Sequence, residues 1–212
     1  MRSRLKVSGV LGVIVAASVI VPATGASSGS HADEERRVTD VEFLGEVVVP
    51  TGTQFAGTEI GGLSSITYDA ARGVYHAVSD DQGNRPTGDP VRYYTLAIEL
   101  SDGSFGDGDL EFVDVTQLFE SRTHPFAPGG LDPEGLTLAQ SGQLYLSSEG
   151  NTLADPIIDP FIRRYNLNGR VTADLPIPAY HLPNGVDRGT RFNLSFESLN
   201  VTPDRETMVT AN

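Results

Sequence analysis

Gly61-Gly62-Leu63-Ser64-Ser65-Ile66-Thr67-Tyr68, followed across a polar turn by Val74-Tyr75-His76-Ala77-Val78-Ser79-Asp80-Asp81, is a pattern that this chain carries three times. The second copy runs from Asp132-Pro133-Glu134-Gly135-Leu136-Thr137-Leu138 to Leu144-Tyr145-Leu146-Ser147-Ser148-Glu149, and the third from Phe196-Glu197-Ser198-Leu199-Asn200-Val201 to the segment Glu206 to Asn212. Each copy is an apolar strand, a polar turn, a second strand and an acidic or polar end. Repetition of such a hairpin at intervals of about 60 to 75 residues is the signature of successive β-propeller blades, with the hairpin on the inside.

The residues between the copies supply the outer strands. Alternating apolar and polar positions at Arg92 to Leu100, Leu110 to Val115, Phe161 to Leu167 and Val171 to Pro176 are separated by Gly, Pro, Asp and Asn. Each complete repeat therefore holds four strands, which makes one blade. The fold expected is all-β, a β-propeller of four-stranded antiparallel blades in which about two and a half blades are present. A ring needs at least about four, so the natural reading frame is expected to continue past Asn212. Val41 to Val49 reads as an outer strand available to another blade, and only Val115 to Ser121 leaves room for a short helical turn.

The N-terminus is of a different character. Arg2, Arg4 and Lys6 precede an apolar run from Val10 to Val21, and small residues follow at Ala23, Gly25 and Ala26. This is the layout of a secretory signal peptide, expected to span residues 1–26 and to leave no stable membrane anchor after removal. Residues 27–38, rich in Ser, Gly, Asp, Glu and Arg, are expected to form a disordered linker, and residues 39–212 the propeller domain. The expected location is secreted or otherwise outside the cytoplasm.

Composition excludes several chemistries. The chain has no Cys, so it can form neither a disulfide framework nor a thiolate metal site. Its formal net charge of −13, deepened further if the three leader cations are lost, repels phosphate backbones and argues against nucleic acid as a partner. Lys6 is the only lysine, so a Schiff-base or phosphate-loop lysine is excluded from the propeller domain. Gly25-Ala26-Ser27-Ser28-Gly29 matches a nucleophile-elbow pattern but has neither the strand before it nor the helix after it that such an elbow requires. Asp102 to Asp109 imitates a calcium loop without its closing Glu and falls where an outer hairpin must turn. His76, His124 and His181 lack metal-binding spacing.

Taken in order, GGLSSITYD at 61–69, the Asp pair 80–81, RYYTL at 92–96, DPEGL at 132–136, SSEGN at 147–151, PFIRRY at 160–165 and NLSFESL at 193–199 resemble the secreted phytase-like family named for the esterase-like activity of phytase. The resemblance runs from about Val41 to Asn212. It implies a β-propeller hydrolase related to calcium-dependent phytases, acting on a small phosphorylated or other ester substrate.

Hairpin geometry gives a separate argument for a site. The start of the first strand and the end of the second lie at the same end of a hairpin, so Glu134 and Glu149 share one rim, as do Asp80 and Asp81 with Ser64, and Glu197 with Asn212. Carboxylates converging at the mouth of an inner channel repel one another unless a cation lies between them. A donor set of hard oxygens without His or Cys favours Ca²⁺. The expected metal ligands are Asp80, Asp81, Glu134, Glu149 and Glu197, with Glu134 or Glu149 also the catalytic base; ligand and base are not separable at this stage. Arg85, Arg92, Arg163 and Arg191 lie near the same rim by position and are expected to bind substrate, with Arg92 and Arg163 at matching repeat positions forming a phosphate clamp. Two other functions fit the same sequence: a calcium-bound lactonase or carboxylic-ester hydrolase with no need of the arginines, and a non-catalytic binding or scaffold propeller whose calcium is structural.

Overall fold

Residues 11–14, 40–202 and 206–211 are described in the computed structural model, and among them there are strands, turns and loops but no helix. In chain order the strands are β1 (Leu11–Ile14), β2 (Glu46–Val49), β3 (Gln54–Phe55), β4 (Thr58–Glu59), β5 (Leu63–Asp69), β6 (Val74–Ser79), β7 (Arg92–Ile98), β8 (Leu110–Gln117), β9 (Pro133–Leu138), β10 (Leu144–Ser148), β11 (Phe161–Tyr165), β12 (Val171–Leu175), β13 (Ser198–Val201) and β14 (Met208–Ala211). β5-β6-β7-β8 and β9-β10-β11-β12 are two four-stranded antiparallel sheets built as up-and-down meanders, and β13-β14 is a third hairpin. No described helix is long and apolar enough to cross a membrane.

The turns follow from their residues. In the β5–β6 turn the Asp69 carboxylate accepts the amides of Ala71 and Arg72, and Gly73 closes the loop at a φ of +68° that other residues resist. The segment expected to start a helical turn at Val115 instead prolongs β8 to Gln117. The β-branched Val115 and Thr116 pair there with Tyr94 and Tyr93. Asp102 to Asp109 is a turn, as expected, and Phe105 at its centre is buried and bridges Gly45.

The first strand of each repeat is packed against its neighbour. Ser65 and Thr67 on β5 place their hydroxyl oxygens 3.0 and 3.1 Å from the amides of Leu136 and Leu138 on β9 as acceptors, and the Ser65 hydroxyl also donates to the Leu136 carbonyl. Between β9 and β13, the Ser147 hydroxyl accepts from the Gly135 amide at 2.9 Å and donates to the Phe196 carbonyl at 2.9 Å. Behind these polar seams, Val78 and Tyr93 from the first sheet pack against Leu136, Leu144, Leu146 and Tyr165 from the second, with Leu118 and Leu131 from the connection. A smaller core of Ile162, Phe196 and Leu199 joins the second sheet to the third hairpin.

The other face of the first sheet, carrying Ala77, Tyr94 and Leu96, is covered by Val49, Phe55 and Ile60 from the chain that precedes it. Val41 to Val49 was expected to be one outer strand; only Glu46–Val49 is extended, and it pairs antiparallel with the backbone of Leu11–Ile14. That partner falls inside the expected export leader. An apolar stretch pairs readily with an open strand edge. The remainder of the leader and the linker at 27–38 lie outside the described residues.

A tight point between the second and third repeats is Gly135, where an added Cβ would stand 2.6 Å from both the amide nitrogen and the Cβ of Leu199. Backbone would have to move to admit it. Gly135→Ala is expected to lower stability by about 1–3 kcal/mol, measured by urea unfolding. An unchanged midpoint would show that the second and third repeats do not rely on this contact.

Candidate functional site

Both inner strands are bulged beside the rim. Leu63 pairs with Ser79 but Ser65 with Val78, and Pro133 pairs with Ser148 but Leu136 with Leu146, so each strand carries one extra residue near its start. A bulge re-aims the side chain at the extra position. Ser64 in β5 and the pair Glu134-Gly135 in β9 are the residues concerned.

Carboxylates collect at this rim. Glu134, Glu149 and Glu197 each offer an oxygen within 4.8 Å of those of the other two. Glu149, buried at the end of β10, is held by the Ser195 amide, which donates to Oε1 at 2.8 Å, and its own amide donates to the Asp132 carbonyl at 3.1 Å. Burial, opposed by the Ser195 hydrogen bond and aided by Glu197 and Asp132, raises its pKa to about 7. Glu134 is likewise raised to about 7, chiefly by burial, with Asp132, Asp80 and Glu149 adding repulsion and the Ser64 hydroxyl working against it. Asp132 is raised by burial and by Asp80 and Glu197, while Gln82 holds its carboxylate by a hydrogen bond. Asp80 is raised by burial, with the guanidinium of Arg85 opposing. Five carboxyl groups thus feel one another at one mouth.

Asp80 and Asp81 part company. The Asp80 amide donates to the Gly62 carbonyl at 2.6 Å, just as that of Glu149 does to Asp132, so the two acids hold equivalent positions. Gly62 itself sits at φ +59°, and any Cβ there would fall on the Asp80 carboxylate. Asp81 points the other way into the sheet, where it accepts Arg92 Nη1 at 3.1 Å and the Gly83 amide at 3.0 Å. It is a buried ion-pair partner and no part of the rim cluster.

The arginines separate in the same manner. Arg92 is 1% exposed, and its guanidinium donates to Tyr94 Oη at 2.7 Å, to the Glu59 and Pro90 carbonyls at 2.6 and 3.0 Å, and to Asp81. Its donors are committed to the fold. Arg163 donates to Asp174 Oδ1 at 2.6 Å and lies 4.0 Å over the Phe161 ring, away from the cluster. The expected match between Arg92 and Arg163 fails on register: Tyr93 opposes Val78 and Ile162 opposes the equivalent Ser147, which makes Phe161 the counterpart of Arg92. A run of two arginines invites that shift, because Arg163 and Arg164 satisfy the alternation from either direction. Arg191 is exposed in a bridge with Leu194 and enters no ion pair with the described residues. Arg85, half-exposed on the loop after β6, is the arginine left beside the carboxylates, 3.6 Å from Asp80 Oδ1.

With this geometry in place the comparison with known families is decisive. Residues 58–212 match the model of the phytase-like family described as esterase-like activity of phytase. The chain belongs to that family. The matched span takes in both four-stranded sheets, the third hairpin and every carboxylate of the rim, and the family's description points to hydrolysis of an ester. No curated protein matches the chain.

Asp132 and Ser195 were not anticipated. Asp132 opens the inner strand of the second repeat, in the place taken by Gly62 in the first, and that Gly-to-Asp exchange between repeats is the signal in the sequence. Ser195 acts through its backbone amide, which no sequence pattern announces. The cluster and the buried pair lead to two measurements. A carboxyl that titrates at about 7 in the folded chain but near its ordinary 4.5 when unfolded binds a proton only in the folded state between those values. Stability in chelator is therefore expected to fall as pH rises from about 4.5 to about 7 and to level off above, with Glu149→Gln flattening the slope in thermal melts. Arg92→Ala leaves Asp81 buried without its partner and is expected to cost about 3–5 kcal/mol in denaturant unfolding, with Arg92→Lys recovering only part of it.

Proposed function

We propose that this protein is an exported, calcium-assisted hydrolase of small esters, with its reaction centre at the rim formed by Glu134, Glu149 and Glu197. The observation that carries this reading is the convergence of those three carboxylates within 4.8 Å. Oxygens that ligate one Ca²⁺ at about 2.3–2.6 Å are separated by no more than about twice that length, so the spacing suits this ion. The donor set suits it too, being oxygen alone, and the upward pKa shifts of Glu134 and Glu149 mark a site short of positive charge. Export rests on the Arg2, Arg4 and Lys6 layout before the apolar run.

Within that reading the residues divide their tasks. Glu149, fixed by the Ser195 amide, and Glu197, on the neighbouring hairpin, would hold the ion, with Glu134 at its edge. Bound calcium would supply Lewis-acid polarisation of the ester oxygen and make nearby water easier to deprotonate. Glu134 would accept the proton from the attacking water, since its bulged position faces the mouth and only the Ser64 hydroxyl constrains it. Beside a divalent cation its carboxyl would be charged at neutral pH, as a base must be.

The experiment is a panel of phosphomonoester, lactone and acyl-ester substrates assayed with Ca²⁺ and with chelator, alongside thermal melts. Turnover of at least one ester that chelator abolishes, a rise in Tm with Ca²⁺ blunted by Glu149→Gln, and a loss of about 10²–10⁴-fold in kcat for Glu134→Gln are expected. A Ca²⁺-dependent Tm without turnover of any ester would replace this reading by a scaffold role, and a Ca²⁺-independent melt would remove the ion from the site.

A further inference from the structure

Among the described residues, Arg85 is a rim guanidinium held by long ion pairs alone. Arg85 is half-exposed, with Nη2 3.6 Å from Asp80 Oδ1 and Nε 3.8 Å from Asp81 Oδ1, both too long for hydrogen bonds. Asp81 does not need it, because Arg92 lies closer and is fully buried with that carboxylate. Nor is the side chain wedged in place: even a Cβ added to the facing Gly61 would stand 4.0 Å from Nη1. Arg92 and Arg163 use their planar forks on protein oxygens at 2.6–3.1 Å, whereas Arg85 makes no hydrogen bond to any described residue through its guanidinium. It sits beside Asp80, which in turn lies within electrostatic reach of Asp132 and Glu134.

A planar fork that makes long ion pairs but no hydrogen bonds, next to a site that handles esters, is suited to a ligand with two acceptor oxygens in one plane. The geometry points to Arg85 as the residue that selects esters carrying an anionic group, a phosphate or a carboxylate, and holds that group while the ester bond lies over Glu134. This inference rests on the hydrolase reading above: without a cation among Glu134, Glu149 and Glu197, the rim carboxylates would repel an anion. It also replaces the Arg92 and Arg163 clamp expected from the sequence with a residue whose donors are available. Asp80 then has a second duty, keeping Arg85 over the mouth while no anion is bound.

The test uses the full chain loaded with Ca²⁺ and compares kcat/KM for nitrophenyl phosphate, the nitrophenyl monoester of succinate and neutral nitrophenyl acetate. Arg85→Ala is expected to lower kcat/KM for an anionic ester by about 10- to 100-fold, mainly through KM, the effect of losing one charge-assisted contact. Neutral acetate should change less than about twofold, Arg85→Lys should restore part of the loss, and Tm should stay at the wild-type value. Which of the two anionic esters responds tells phosphate from carboxylate. Equal losses on anionic and neutral esters, or no loss on either, would overturn the assignment. If the wild type hydrolyses none of the three, the wider ester panel above decides the hydrolase reading, and calorimetric titration of inorganic phosphate and of succinate into the Ca²⁺-loaded chain decides the role of Arg85. Binding abolished by Arg85→Ala sustains an anion site, and unchanged or absent binding overturns it.

Discussion

The closeness of neighbouring inner strands is the constraint on which the rest of this structure depends. At Gly135 the second repeat approaches Leu199 so nearly that a methyl group would not fit. Where there is room for a side chain, it is a small hydroxyl that bonds to the next repeat's backbone, as Ser65, Thr67 and Ser147 do. Such seams satisfy buried backbone groups that a ladder would otherwise pair, and they fix each repeat's height relative to the next. Because the heights are fixed, the strand ends arrive at one level. The crowding of carboxylates is a consequence of that registration and costs the fold stability in the absence of a counter-charge.

Two opposite treatments of negative charge lie within one dipeptide. Asp81 is buried, ion-paired to Arg92 and braced by the Gly83 amide, so its charge is matched internally. Asp80, one residue earlier and just past the end of β6, joins the acids whose pKa values burial and mutual repulsion raise. The first arrangement builds structure; the second leaves an electrostatic deficit that a ligand can fill. The Glu59 carbonyl, which accepts from Arg92, ties the covering segment before β5 into the same buried network.

Much of this was legible in the sequence, for reasons that are local. Strand boundaries in the two four-stranded sheets fell within about three residues because alternation and Gly- or Asp-bearing turns report backbone geometry directly, whereas the strand expected from Val41 begins only at Glu46. Glu134, Glu149 and Glu197 were found together because hairpin ends are topologically equivalent. What stayed hidden depends on side-chain direction or on one-residue offsets. The bulges that turn Ser64 and Glu134 toward the mouth shift the register by a single position. The same kind of offset made Arg163 resemble Arg92, while the real counterpart is Phe161. Arg92 itself could be placed at the start of β7 but not assigned to the interior, since an arginine with so many donors satisfied by carbonyls has no distinguishing pattern in its neighbours.

The cover that Val49, Phe55 and Ile60 lay over the first sheet bears on the order in which the molecule is made. These residues leave the ribosome before β5 does, so an apolar partner is already waiting when the first sheet emerges. Its outward face is sealed at birth. Only the inward face, with Val78 and Tyr93, must remain bare until the second sheet arrives. Contacts that join consecutive segments are quick to form and limit the time during which strand edges are open to other chains. Assembly can then advance repeat by repeat in the direction of synthesis, each sheet serving as the template for the next.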